Sequence, residues 1–146
     1  MILGAAGASA LLLTGCLGGA KGEDFVGYWA DDTPRQGRPR RLIAVIKIER
    51  MGGGEFVATV LEPIPMLFGG GVNTISLMLR YMPENRLAIE RGSNVFFVTI
   101  KDGNLMINER FLSTMTAAMR DRPFRRSTRE EFDGFPASLA QPQQRR

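Results

Sequence analysis

Apolar and polar positions alternate with period two in short runs from Asp24 to about Met119. Ile75, Leu77, Leu79 and Tyr81 share one face of such a run, with Ser76, Met78 and Arg80 on the other. Leu42, Ala44, Ile46 and Ile48 oppose Lys47 and Glu49, and Phe96, Val98 and Ile100 oppose Thr99 and Lys101. Successive side chains of a strand point to opposite faces, so this pattern predicts half-buried strands. The runs are Phe25–Trp29, Leu42–Glu49, Phe56–Leu61, Thr74–Met82, Arg86–Arg91, Val95–Lys101 and Asn104–Phe111, with a further strand expected near Ser113–Met119.

Short turn signals separate them: Gly52-Gly53-Gly54, Pro83-Glu84-Asn85, Gly92-Ser93-Asn94 and Asp102-Gly103-Asn104. Connections this short force neighbouring strands to run antiparallel. The expected fold is all-β, an up-and-down meander of about seven or eight strands over residues 24–119. Closing it into a small barrel would remove the exposed edges.

Residues 120–146 read as a polar tail with a short helix at 128–135. Ser127 followed by Glu130 resembles a capping box, and Phe132, Phe135 and Leu139 fall near one face that could dock on the barrel. Gly134 and Pro136 argue against a long helix.

Two longer connections break the rhythm. Ala30–Arg41 is polar and carries Arg35, Arg38, Arg40 and Arg41. Glu62–Val72 is unusually apolar for a loop, with Met66, Leu67 and Phe68 between prolines and glycines. It reads either as a lid that completes the core or as a surface for a membrane or a partner. In the second case these seven residues form a candidate partner surface.

Composition narrows the chemistry. With 146 residues the chain suits one domain with one core. Of its 19 basic residues all but Lys21, Lys47 and Lys101 are arginines, against 15 acidic ones. Such a bias suits phosphate or anionic-lipid contacts, and equally a skewed genome. There is one cysteine and no histidine. An internal disulfide and a cysteine–histidine zinc site are therefore excluded, and no metal or cofactor is expected. No nucleophile-elbow pattern occurs, and Gly52–Gly54 and Gly69–Gly71 lack the Lys-Ser/Thr of a phosphate loop. Asp31-Asp32 and Glu130-Glu131 read as solvated or capping pairs. The expectation is a non-enzymatic protein.

The single cysteine ends an apolar run, Met1–Gly15, that is too short to span a bilayer but suits a signal peptide. Leu13-Thr14-Gly15-Cys16 resembles the lipobox of bacterial lipoproteins. The resemblance implies removal of residues 1–15, diacylglyceryl and further acyl (palmitate-type) modification of Cys16, and a flexible tether over residues 16–23. Leu13, Thr14 and Gly15 would be the peptidase recognition residues. Leu17 after the cysteine, rather than Asp, favours the periplasmic face of the outer membrane where two membranes exist. The first basic side chain is Lys21, so an initiator upstream of Met1 is expected.

Gly27-Tyr28-Trp29 near the start of a meander resembles the Gly-x-Trp signature of lipocalins and other calycins. That resemblance implies that Trp29 packs across the barrel's closed end under an arginine, here Arg110 or Arg91. Two functions follow as expectations. One is a lipid-anchored interaction module (inhibitor, immunity protein or accessory subunit) for an envelope protein. The other is a carrier of a small apolar ligand or lipid. An envelope site and the lack of an aromatic–basic stacking motif argue against nucleic acid.

Overall fold

A computed structural model describes residues 21–32, 43–108, 111 and 121–140. The chain folds as a closed antiparallel barrel of eight strands in sequence order. These are β1 (Gly27–Asp31), β2 (Ala44–Gly52), β3 (Glu55–Pro63), β4 (Val72–Met82), β5 (Arg86–Arg91), β6 (Asn94–Lys101), β7 (Asn104–Asn108) and β8 (Asp121–Arg126). A helix, α1 (Arg129–Ala140), follows. A closed eight-stranded meander with a C-terminal helix is compatible with a lipocalin-like architecture.

The predicted alternation is the burial pattern. Trp29, Ile46, Ile48, Phe56, Val60, Leu77, Leu79, Leu87, Val98, Leu105, Ile107 and Phe124 form one continuous core inside the barrel. An eight-stranded barrel is just wide enough for such side chains to fill. The turn Asp102-Gly103 joins β6 to β7 with both residues at positive φ, as a tight hairpin requires.

Three expectations change. The run from Phe25 begins as a single 3-10 turn, Glu23–Phe25, and the strand starts at Gly27. Phe111 is buried but lies outside the strand predicted to end there, which stops at Asn108 among the described residues. The closing strand is β8, in the segment read as tail, whereas the strand expected near Ser113–Met119 lies outside the described residues. Two inward positions of β8 hold arginines, Arg122 and Arg126, which hid it from a search for apolar alternation. Pro123 costs the ladder nothing. The Ser127 N–H donates to the Tyr28 carbonyl at 2.9 Å, so by alternation position 123 also faces β1, beyond the last β1–β8 pair, Ala30–Arg125.

Helix α1 is longer than expected and its cap is shifted by one residue. The Glu131 N–H donates to Thr128 Oγ1 at 3.2 Å, so the cap is Thr128 and its partner Glu131, not Ser127 and Glu130. The helix runs through Gly134 and Pro136 because its packing outweighs their local cost. Phe132 and Phe135 are buried against Ala30 and Val45 on the outer face of β1 and β2, with Tyr28 and Leu61 alongside. The position of the Leu139 side chain lies outside the description. Arg125 clamps the junction: its Nη1 and Nη2 donate to Glu131 at 3.0 and 2.9 Å, and its Nε to Asp32 at 3.1 Å. These bonds, the Arg125 pair above all, hold the Glu131 carboxyl below the usual carboxylate range and raise Arg125.

Candidate functional site

The two barrel ends differ in chemistry. The base is where β1 begins. There Gly22, at φ 82°, packs so closely on the Phe56 ring that a Cβ would come within 2.6 Å of it. The following turn buries Phe25, whose carbonyl accepts the Trp29 Nε1–H at 3.0 Å. Arg126 covers the indole, its Cζ 3.9 Å from the ring centroid. Its Nη1 donates to the Val26 carbonyl at 3.0 Å and its Nη2 to the Asp24 carbonyl. Gly27 is required here twice over: its φ is 126°, and a Cβ would lie 3.3 Å from Arg126 Nη1.

The arginine that lies over Trp29 is Arg126, not Arg110 or Arg91. Arg91 lies instead over Phe111, at 5.6 Å, and Arg110 is outside the described residues. The base is a finished plug of apolar packing, stacking and satisfied carbonyls.

The opposite end is the mouth. The ends of β1, β3 and β7, and the starts of β2, β4 and β8, meet there by the antiparallel register. Its inward positions turn polar. Asp31 continues the inward parity of Gly27 and Trp29, pairs across the ladder with Ala44, and is only 1% exposed. Arg122 Nη2 donates to Asp31 Oδ2. Glu62 and Asn73 are cross-strand partners that continue the inward rows of Phe56–Val60 and Ile75–Leu79, and Asn73 Nδ2 donates to Glu62 Oε1 at 3.3 Å. Burial pushes the Glu62 carboxyl up, with the Asn73 hydrogen bond and the Arg122 charge pulling the other way.

A polar cluster of Asp31, Arg122, Glu62 and Asn73 therefore crowns an apolar interior, in which Ile75, the next inward residue after Asn73, is half-buried. Such a ring can receive a polar group. It holds no nucleophile, and among the described residues no group of carboxylates could hold a metal.

None of these four was singled out from sequence. Asp31 and Asp32 looked like one solvated pair, yet they point opposite ways: Asp31 inward to Arg122, Asp32 outward to Arg125 at 3.0 Å. The signal was the parity itself, since each polar residue extends an inward apolar row.

The loop after β3 stands at the same end. Met66, Leu67 and Phe68 form a 3-10 turn and are 86%, 88% and 57% exposed. They do not complete the core. Their backbone is nevertheless built: Ile64 N–H donates to Gly71 O at 2.9 Å, Phe68 N–H to Pro65 O at 2.8 Å and Gly70 N–H to Pro65 O at 3.2 Å. Gly70 lies against the Met66 sulfur, 2.9 Å from where a Cβ would be. The result is a fixed apolar knuckle in water. Arg35, Arg38, Arg40 and Arg41 lie outside the described residues, but the strands that their segment joins, β1 and β2, meet at this end.

The lipobox residues Leu13, Thr14, Gly15 and Cys16 also lie outside the described residues. Among the described residues no helix is long and apolar enough to cross a membrane. No family model, curated protein or solved structure matches this chain.

Proposed function

We propose that this chain is a lipid-anchored β-barrel of the bacterial envelope that acts without catalysis, by docking another envelope protein at its mouth. The observation that carries this is the Met66-Leu67-Phe68 knuckle, three adjacent large apolar side chains in water on a hydrogen-bonded turn. Ordering such a group in solvent has no folding benefit, and exposed apolar patches of this kind mark interaction sites.

The anchor supports the same direction. Lys21 sits at the base, where its carbonyl accepts Arg50 Nη2 at 2.8 Å. Residues 16–20 reach at most about 17 Å when extended. The eleven residues of β4 span roughly 35 Å. Lipid on Cys16 would hold the base near its membrane and present the mouth away from it, toward a partner. Leu17 favours the periplasmic face of the outer membrane.

The test is co-purification from the detergent-solubilised envelope of the source cell. A stoichiometric partner is expected with the native chain and lost with Leu67→Asp/Phe68→Asp. Recovery of the same partner at the same yield with the double variant would overturn the proposal.

A second reading has one observation in its favour. The inward ring of Asp31, Arg122, Glu62 and Asn73 above Ile75 suits an amphipathic small ligand with a polar head and an apolar tail. Titration with a polarity-sensitive fluorescent fatty acid tests it: saturable binding weakened by Arg122→Ala supports a carrier, and no saturable binding removes it.

A further inference from the structure

Strand β4 is paired unequally on its two sides. Toward β3 the ladder is unbroken from Val72 to Arg80. Toward β5 it consists of three pairs at the base end, Arg80–Ala88, Tyr81–Leu87 and Met82–Arg86, and then stops. Continued register would match Met78 with Glu90, but the strands part there. The Arg80–Glu90 ion pair sits where they diverge.

Alternation tells which backbone groups are left over. Tyr81 N–H donates to Gly54 O at 2.8 Å, on the β3 side, so the odd residues of β4 turn their N–H and C=O to β3 and the even ones to β5. Arg80 and Met82 use theirs in the β5 ladder. Val72, Thr74, Ser76 and Met78 present theirs to the seam, and Thr74, Ser76 and Met78 are exposed.

Open edges are ordinarily blunted by charge, proline or a bulge. This one has none of them. Val72–Leu79 reads Val-Asn-Thr-Ile-Ser-Leu-Met-Leu, without a charge, proline or glycine, and its pairing to β3 is regular. Among the described residues this row of main-chain donors and acceptors has no strand partner, and it is complementary to one kind of occupant, another extended backbone. A strand laid there would place alternate side chains inward toward Ile75 and Leu77 and outward beside Met78, Val95 and Phe97, three of the exposed large apolar residues.

We infer that the seam between β4 and β5 accepts an extended, alternately apolar segment of the partner polypeptide by strand addition to the β4 edge. This rests on the interaction-module reading and names the form of the partner's contact.

The experiment uses the full chain in detergent and a blocked synthetic peptide of the sequence Glu55–Glu62, which already pairs with β4 on its other side. A control peptide carries N-methyl groups on Val57, Thr59 and Leu61, the amides that would face β4 from the seam. Amide exchange at Thr74, Ser76 and Met78 is expected to slow by about tenfold or more with the plain peptide, with Ile75 and Leu77 unchanged, and not at all with the methylated one.

Ser76→Pro, which removes a seam-facing N–H and spares the β3 ladder, is expected to abolish the protection, and Thr74→Pro to reproduce that loss. Equal protection by both peptides, protection confined to residues 64–71, or no protection at saturating peptide would each overturn the inference. A partner that co-purifies with the native chain and equally with Ser76→Pro overturns strand addition while leaving the interaction module in place.

Discussion

The Arg126 guanidinium caps the Trp29 indole, 3.9 Å from the ring centroid, and hydrogen-bonds the carbonyls of Asp24 and Val26 on the turn before it. One side chain at the end of β8 thereby ties down the start of β1. Arg126→Ala should cost about 2 kcal/mol in urea unfolding, from a cation–π contact and two charge-assisted hydrogen bonds in a partly exposed site. Arg126→Lys should restore less than half, because an ammonium cannot reach both carbonyls while stacking. A loss below about 0.5 kcal/mol for Arg126→Ala would show that the plug holds without its arginine.

Phe135 is fully buried between α1 and the outside of β1 and β2. Phe135→Ala should cost about 3–4 kcal/mol. It should also free the helix, so that amides of 129–137 lose exchange protection while the β2–β3 ladder keeps it. Equal loss across the barrel would mean that helix and barrel unfold as one unit.

Glu62 and Glu131 have opposite pH signatures. Burial raises the Glu62 carboxyl above its ordinary 4.5, so the folded state binds its proton more tightly than the unfolded one. Its cost is absent below about pH 4.5 and appears as pH rises through the raised value. Glu62→Gln should therefore raise the Tm at pH 7 and leave it unchanged at pH 4. Glu131 is lowered, so its contribution is present above about pH 4.5 and fades as pH falls through the folded value. Glu131→Gln should lower the Tm at pH 7, and the difference should vanish in acid. A Tm difference independent of pH in either variant would refute the assignment.

Cys16→Ser should leave the barrel folded, with unchanged far-ultraviolet circular dichroism, and should abolish lipid labelling and removal of residues 1–15. A serine variant that is still cleaved before position 16 and still fractionates with membranes would overturn the lipoprotein proposal.

Strands β1 to β7 and their order were legible in the chain because period-two burial is a local property, whereas β8, with arginines at two inward positions, was not. Alternating residues such as Ile75, Leu77 and Leu79 report one buried face wherever the strand ends up. The predicted strand Arg86–Arg91 matches β5 at both ends, because Asn85 at φ 51° and Gly92 at φ 62° bound it locally. The expectation of a plugged end came only through the resemblance of Gly27-Tyr28-Trp29 to the Gly-x-Trp signature, and it did not single out the arginine that the fold brings over Trp29, Arg126.

Whatever depends on a distant partner was not legible. Arg122 and Arg126 look like solvent residues until Asp31 and Trp29, about a hundred positions earlier, are brought beside them by barrel closure. Alternation alone turns Asp31 and Asp32 to opposite sides, but closure decides that Asp31 meets Arg122 inside and Asp32 meets Arg125 outside. Alternation along a strand states which residues share a side. Only the closed sheet decides what that side faces, and so which charges are neutralised, which are exposed and which backbone groups remain to be paired.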